Sequence, residues 1–314
     1  MTDQRQLPID VKADVAAALE RQGPVVALET TVIAHGLPYP LNRDTARALE
    51  AAVRAAGAVP ATLGVVEGRI KIGLDEDQIE HFARNDGSCR KLSRRDIPVV
   101  LAERGDGATT VAGTMILASL VGIPIMATGG IGGVHRGAET TMDISADLTE
   151  LARSPVAVVC AGAKAVLDLE KTLEYLETQG VPVVGYGTDR LPAFYVRETR
   201  HELEARVDTP EAAAALIDAK RRLGLAGGLV IANPIPHEHA LDADFAERAI
   251  AAALAEAEAR GIAGKDVTPF LLSRMEKLTE GKSVAANAAL IRNNAGVAAR
   301  IAVAYAGLRS GQSS

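Results

Sequence analysis

The chain has 314 residues, a formal net charge of −6 and a pI near 5.6, so its charge balance gives no reason to expect nucleic acid as a partner. Aromatic residues make up 3% of it and tryptophan is absent, which argues against a base-stacking platform of the single-strand-binding kind. Two cysteines make no disulfide framework, so Cys89 and Cys160 are read as reduced thiols of a cytoplasmic protein, and 48% hydrophobic residues suffice for a large buried core.

In chain order, MTDQRQLPIDVKADVAAALERQG lacks the apolar run of a signal peptide, and 11–21 has helical spacing. VVAL after Pro24 reads as a strand, and 42–56 as a helix with Asn42 or Asp44 placed to cap it. ATLGVVEGRIKIGL reads as two strands joined at Glu67-Gly68. DEDQIEHFARN reads as a short helix and IPVVLAE as a strand. The segment 108–134 carries no charge, but Gly122, Pro124 and the glycines at 129, 130, 132 and 133 interrupt it. It therefore predicts a buried helix followed by a buried strand, with no membrane span. A helix is expected over 145–153 and a covered strand over 156–160, then a helix carrying Val166, Leu167, Leu169, Leu173 and Leu176. VPVVGYG is a further strand, TPEAAAALIDAKRRLG a helix capped by Thr209 with Pro210 in its first turn, GGLVIANP a strand, and the region from Asp242 mostly helix.

Strands alternating with helices predict a layered α/β/α architecture around a central, largely parallel sheet, read as a single domain over 1–314. Sites in such sheets form where the strands end at their carboxyl edge. Those positions hold Glu29 with Thr30, Thr31 and His35; Lys91, Arg94 and Arg95; Thr109 and Thr110; a glycine cluster followed by His135, Arg136, Asp143 and Asp147; Lys164; and Asn233. Each has a plainer reading. Glu29 fits a solvated strand end, the three cations an exposed basic turn, and Asp143 and Ser145 ordinary helix caps. Asp143 and Asp147, four apart, also suit one hard divalent cation if the turn is helical. GGIGGVHRG does not have GxGxxG spacing, and HEH at 237–239 is not a zinc motif. Lys164 is expected where a strand turns into a helix, where the helix dipole disfavours a cation. It either has an anionic partner, has lost its proton or points into water. A carboxyl group, an amine, a basic cluster and small-residue helix starts together suggest Schiff-base chemistry on a sugar phosphate.

The segments VALETTVIAHGLPYP, CRKLSRRDIP, GATTVAGTM, ATGGIGGVHRGAE, MDISADLTEL, PAFY, NPIP and TPFLL occur in this order across about 25–294. Together they resemble the pseudouridine-5′-phosphate glycosidase family. The resemblance implies reversible cleavage of the carbon–carbon bond of pseudouridine 5′-phosphate to uracil and ribose 5-phosphate. It implies Lys164 as nucleophile through a ring-opened Schiff base and Glu29 as proton donor. It also implies Asp143 as ligand of Mn²⁺ and Lys91, Val111, Ser145, Ala146 and Asp147 as substrate contacts, with His135 and Asn287 near the uracil or ribose. A homotrimer with small-molecule partners, and neither nucleic acid nor membrane, is the corresponding assembly. Two other readings share parts of this pattern: a sugar-phosphate aldolase or isomerase that uses the same lysine, and a catalytically silent metabolite-binding protein.

Overall fold

The computed structural model describes residues 7–262 and 267–311; residues 1–6 of the MTDQRQLPID segment lie outside the described residues. Its strands are β1 (Ile9–Val11), β2 (Val25–Leu28), β3 (Val59–Val66), β4 (Arg69–Ile72), β5 (Arg90–Leu92), β6 (Gly107–Thr109), β7 (Ile125–Ala127), β8 (Ala157–Cys160), β9 (Val183–Tyr186), β10 (Ala205–Val207) and β11 (Leu229–Ala232). The sheet runs β1-β4-β3-β2-β7-β8-β11-β9-β10, with β6 paired to β3 and β5 to β6. Every pairing from β3 through β2 to β10 is parallel, and β3 meets β4 and β6 antiparallel. The short β1, β5, β6 and β10 were not anticipated; each is three residues long and too brief to show a period.

The helices are α1 (Ala13–Glu20), α2 (Leu41–Ala55), α3 (Glu76–Ala83), α4 (Ile97–Glu103), α5 (Val111–Leu120), α6 (Ala138–Thr141), α7 (Ala146–Leu151), α8 (Leu169–Thr178), α9 (Pro210–Arg222), α10 (Ala243–Ala259), α11 (Val267–Leu278) and α12 (Lys282–Gly311). A wide turn, Val32–Gly36, precedes α2. β2, β7, β8 and β11 are buried at every position, which requires cover on both faces. α12 lies along β2, β7 and β8 between α2 and α9, and α5 packs on β2, β3 and β7 beside α7. This is the expected α/β/α layering. Among the described residues no helix is long and apolar enough to cross a membrane.

Three expectations are corrected. IPVVLAE forms α4 rather than a strand; Pro98 in its first turn suits a helix start, and only Ile97 and Val100 are buried, a one-sided pattern. Neither Asn42 nor Asp44 caps α2, which begins at Leu41. The Asn42 amide instead donates to the carbonyls of Ile33 (2.7 Å) and Ala83 (2.9 Å). Val166 and Leu167 precede α8, whose cap is Asp168, accepting from the Lys171 amide at 3.1 Å. The Glu67-Gly68 turn, with both residues at positive φ, and the Thr209 cap stand as expected.

Candidate active site

Glu29 and Thr128 follow the last residues of β2 and β7, and those residues, Leu28 and Ala127, are register partners in adjacent strands. The two side chains therefore stand side by side, and the Thr128 hydroxyl donates to the Glu29 carboxylate. β8 is the next strand along. Beyond the sheet edge the loops after β7 and β8 zip together: Ala161 donates to the Gly129 carbonyl (2.9 Å), Ile131 to Gly162 (3.1 Å) and Lys164 to Ile131 (3.1 Å). Gly162 is at φ +77°, and a β-carbon there would fall 2.0 Å from the Pro192 carbonyl oxygen, so no other residue fits. From behind, Asn294 of α12 donates to the Thr128 carbonyl at 2.8 Å and accepts from Asn233 at 2.8 Å. Asn233, expected at the site, is thus a brace beneath it.

Lys164 lies in this loop, five residues before α8 begins, so the helix dipole invoked above does not act on it. Its electrostatic neighbours are Glu29 and Lys91. Burial pushes the Glu29 carboxyl above the ordinary carboxylate range, opposed by the charge of Lys164 and by the Thr128 hydrogen bond. Burial, with the charge of Lys164, pulls Lys91 below the ordinary lysine value. Burial likewise lowers His135, against the pull of Asp143.

Two chambers meet at Glu29, Lys91 and Lys164. The larger, about 570 Å³, is lined also by Val111, His135, Asp143, Ser145, Ala146 and Asp147. The smaller is mostly apolar, with Val32, Phe194, Leu272 and Ile291 around Asn287 and His35. Every residue singled out for the site by the resemblance therefore borders one chamber or the other. Phe194, Thr128 and Asn294 were not singled out as site residues, although Phe194 lies in the quoted PAFY segment.

Several polar groups around the larger chamber are already committed. Asp147 is buried, accepting from the amides of Ala112 (2.9 Å) and Gly132 (2.8 Å). The pairing of Asp143 with Asp147 on one cation is thereby corrected, because both Asp147 oxygens hold backbone. Ser145, not Asp143, caps α7. Asp143 stays partly exposed in the chamber, 3.9 Å from His135 Nδ1. The basic cluster divides three ways: Lys91 stands near Glu29 and Lys164, Arg94 forks onto buried Glu150 at 2.8 and 2.7 Å, and Arg95 is 85% exposed at the rim. Thr110 caps α5, accepting from the Gly113 amide at 3.2 Å. Burial pushes the Cys160 thiol up to about 12, consistent with an inert core residue.

The family model described as Indigoidine synthase A like protein matches residues 14–304. A pseudouridine-5′-phosphate glycosidase of Rhodospirillum centenum is 62% identical over 301 residues, covering 96% of this chain and 93% of the relative. The chain belongs to the pseudouridine-5′-phosphate glycosidase family. The enzyme of that name from Caldanaerobacter subterraneus subsp. tengcongensis is 58% identical over 94% of this chain and 96% of its own length. Among solved structures, the prealnumycin C-glycosynthase AlnA in complex with ribulose 5-phosphate is 41% identical, with a TM-score of 0.90 over 98% of this chain and 99% of that one. An indigoidine synthase A-like protein from Thermotoga maritima is 35% identical with a TM-score of 0.85, covering 95% of this chain and 96% of that one.

Proposed function

We propose that the chain cleaves pseudouridine 5′-phosphate reversibly into uracil and ribose 5-phosphate, consuming one water in that direction. The observation that carries this is the meeting of an amine, Lys164, with a carboxyl that burial raises, Glu29, where a polar and an apolar chamber join. The family's printed activity and the sugar phosphate held by AlnA support the same reading.

The chemistry follows from the bond. Uracil leaves as carbon, so the usual route of protonating a heteroatom leaving group is closed. In the proposed course Glu29 gives its proton to the ribose ring oxygen as the Lys164 nitrogen bonds to C1′, which opens the ring. The nitrogen's surplus proton returns to the Glu29 carboxylate. The nitrogen lone pair then forms the C1′ imine as the C1′–C5 bond breaks; the bonding pair stays on C5, which takes the proton from Glu29. Water hydrolyses the imine, freeing Lys164 and ribose 5-phosphate. A carboxyl whose proton is held by burial suits both donations.

The sugar phosphate is assigned to the larger chamber, with Lys91, Val111, His135, Ser145, Ala146 and the Asp147-braced helix start around it. Uracil is assigned to the smaller one, with Asn287 offering hydrogen bonds among apolar walls. Asp143 fits a divalent cation, Mn²⁺ by the resemblance: it is a partly exposed carboxylate in a chamber wide enough for waters. Such an ion would neutralise and orient substrate oxygens. A cytoplasmic homotrimer is the assembly the resemblance supports. The deciding assay incubates the protein with pseudouridine 5′-phosphate and Mn²⁺. Uracil and ribose 5-phosphate in equal amounts are expected; absence of uracil, or scission of a phosphorylated sugar without need of a base, would contradict the reading.

A further inference from the structure

Among the described residues, His35 Nε2 is a buried side-chain atom without a hydrogen-bond partner, and His35 lines the smaller chamber. A buried polar atom left unpaired in a native fold calls for a cause, and a missing ligand is one. The ring is also held in place. Its contact with the Cys89 carbonyl is a hydrogen bond, and because Nε2 is unpartnered the donor is Nδ1. Asn85 accepts from the Cys89 amide at 3.1 Å and donates to the Ala34 carbonyl at 3.1 Å, tying the acceptor to the turn that carries His35. Asn42 fixes the Ile33 carbonyl of the same turn. With hydrogen on Nδ1, Nε2 presents a lone pair. Burial and the neighbouring charge of Lys91 hold the imidazole below its ordinary pKa, so it is neutral at physiological pH.

Building on the glycosidase reading, we propose that His35 Nε2 accepts a hydrogen bond from a ring N–H of the base and thereby sets base specificity. The same chamber is lined by the Asn287 amide, which can both donate and accept, and by the apolar ring of Phe194. A chamber with a fixed acceptor rejects a base whose matching N–H is methylated, because the methyl group removes the donor and meets the lone pair.

The test runs the reaction toward synthesis, with ribose 5-phosphate and uracil, 1-methyluracil or 3-methyluracil. The parent protein should discriminate against at least one methyluracil by about 10²-fold in kcat/KM. His35→Phe, which keeps a flat ring, should lose about as much on uracil while barely changing on the rejected analogue. His35→Gln, which restores a carbonyl acceptor, should recover part of the discrimination and shows that the position tolerates change. An equal loss on all three bases in both variants, or no discrimination by the parent, would overturn the proposal. A second readout is independent of turnover: the ¹⁵N resonance of His35 Nε2 should move on titration with uracil alone. Absence of turnover by the parent with that shift intact would strike the glycosidase reading and spare this one; no shift would overturn this one.

Discussion

The two chambers that flank Lys164 are built by opposite means. In the larger, much of the charge is bound up in holding the wall: Asp147 ties α5 to the glycine loop, and Glu150 is clamped by Arg94 and by the Ser154 hydroxyl at 2.5 Å. In the smaller, apolar side chains make most of the wall, and His35 is held by backbone contacts that leave one ring nitrogen unsatisfied. The first arrangement suits an anion that must be oriented. The second suits a flat, neutral ring that must be selected. At their junction the Glu29 carboxyl, raised by burial, stands beside the Lys164 amine and beside Lys91, which burial and the charge of Lys164 pull below the ordinary lysine value.

The contrast can be broken first at the junction. Lys164→Ala should reduce uracil release by roughly 10⁴-fold or more while leaving the melting temperature nearly unchanged, read by turnover and calorimetry. Glu29→Gln should cost about 10²–10⁴-fold in kcat. Its stability effect has the opposite sign. The folded-state pKa of Glu29 is raised, so the native chain binds more protons than the unfolded one above the ordinary carboxylate range, and stability falls as pH rises through the folded value. Glutamine removes that loss, so the variant should be at least as stable as the parent at neutral pH and gain relative to it as pH increases.

In the larger chamber, Asp147→Ala strips the acceptor from two buried amides and should cost about 2–4 kcal/mol by denaturant titration, with a raised KM for the sugar phosphate. Thr128→Val removes the hydrogen bond that favours the Glu29 carboxylate. The Glu29 pKa should rise further, moving the basic limb of the kcat profile to higher pH, with about a tenfold loss in rate. Arg95→Ala should change neither rate nor stability by more than about 0.5 kcal/mol, since the side chain is almost wholly in solvent. A large effect there would mean that the rim takes part in binding.

Much of this geography is legible in the sequence because strand ends in a parallel sheet must converge on one edge. Glu29, Thr128 and Lys164 follow β2, β7 and β8, and covered strands announce themselves as unbroken apolar runs. The helix expected directly after Lys164 failed because Val166 and Leu167 are apolar for another reason. Leu167 packs toward Gly133, 3.2 Å from where a β-carbon would stand, and both residues are buried in a loop. A seven-residue apolar run such as Ile97–Glu103 fits strand or helix, and Pro98 was the cue that favoured helix. Phe194, Asn294 and the pairing of Asn85 with the His35 turn rest on contacts far apart in the chain, which local pattern does not encode.

The claim on which the account turns is that the Lys164 amine bonds to C1′ of an opened ribose phosphate. The protein is mixed with ribose 5-phosphate, reduced with borohydride and mapped by peptide mass spectrometry. A reduced ribose phosphate adduct on Lys164, absent from Lys164→Ala, is the predicted result. An adduct on Lys91 instead, or none under conditions where uracil is released, would contradict it.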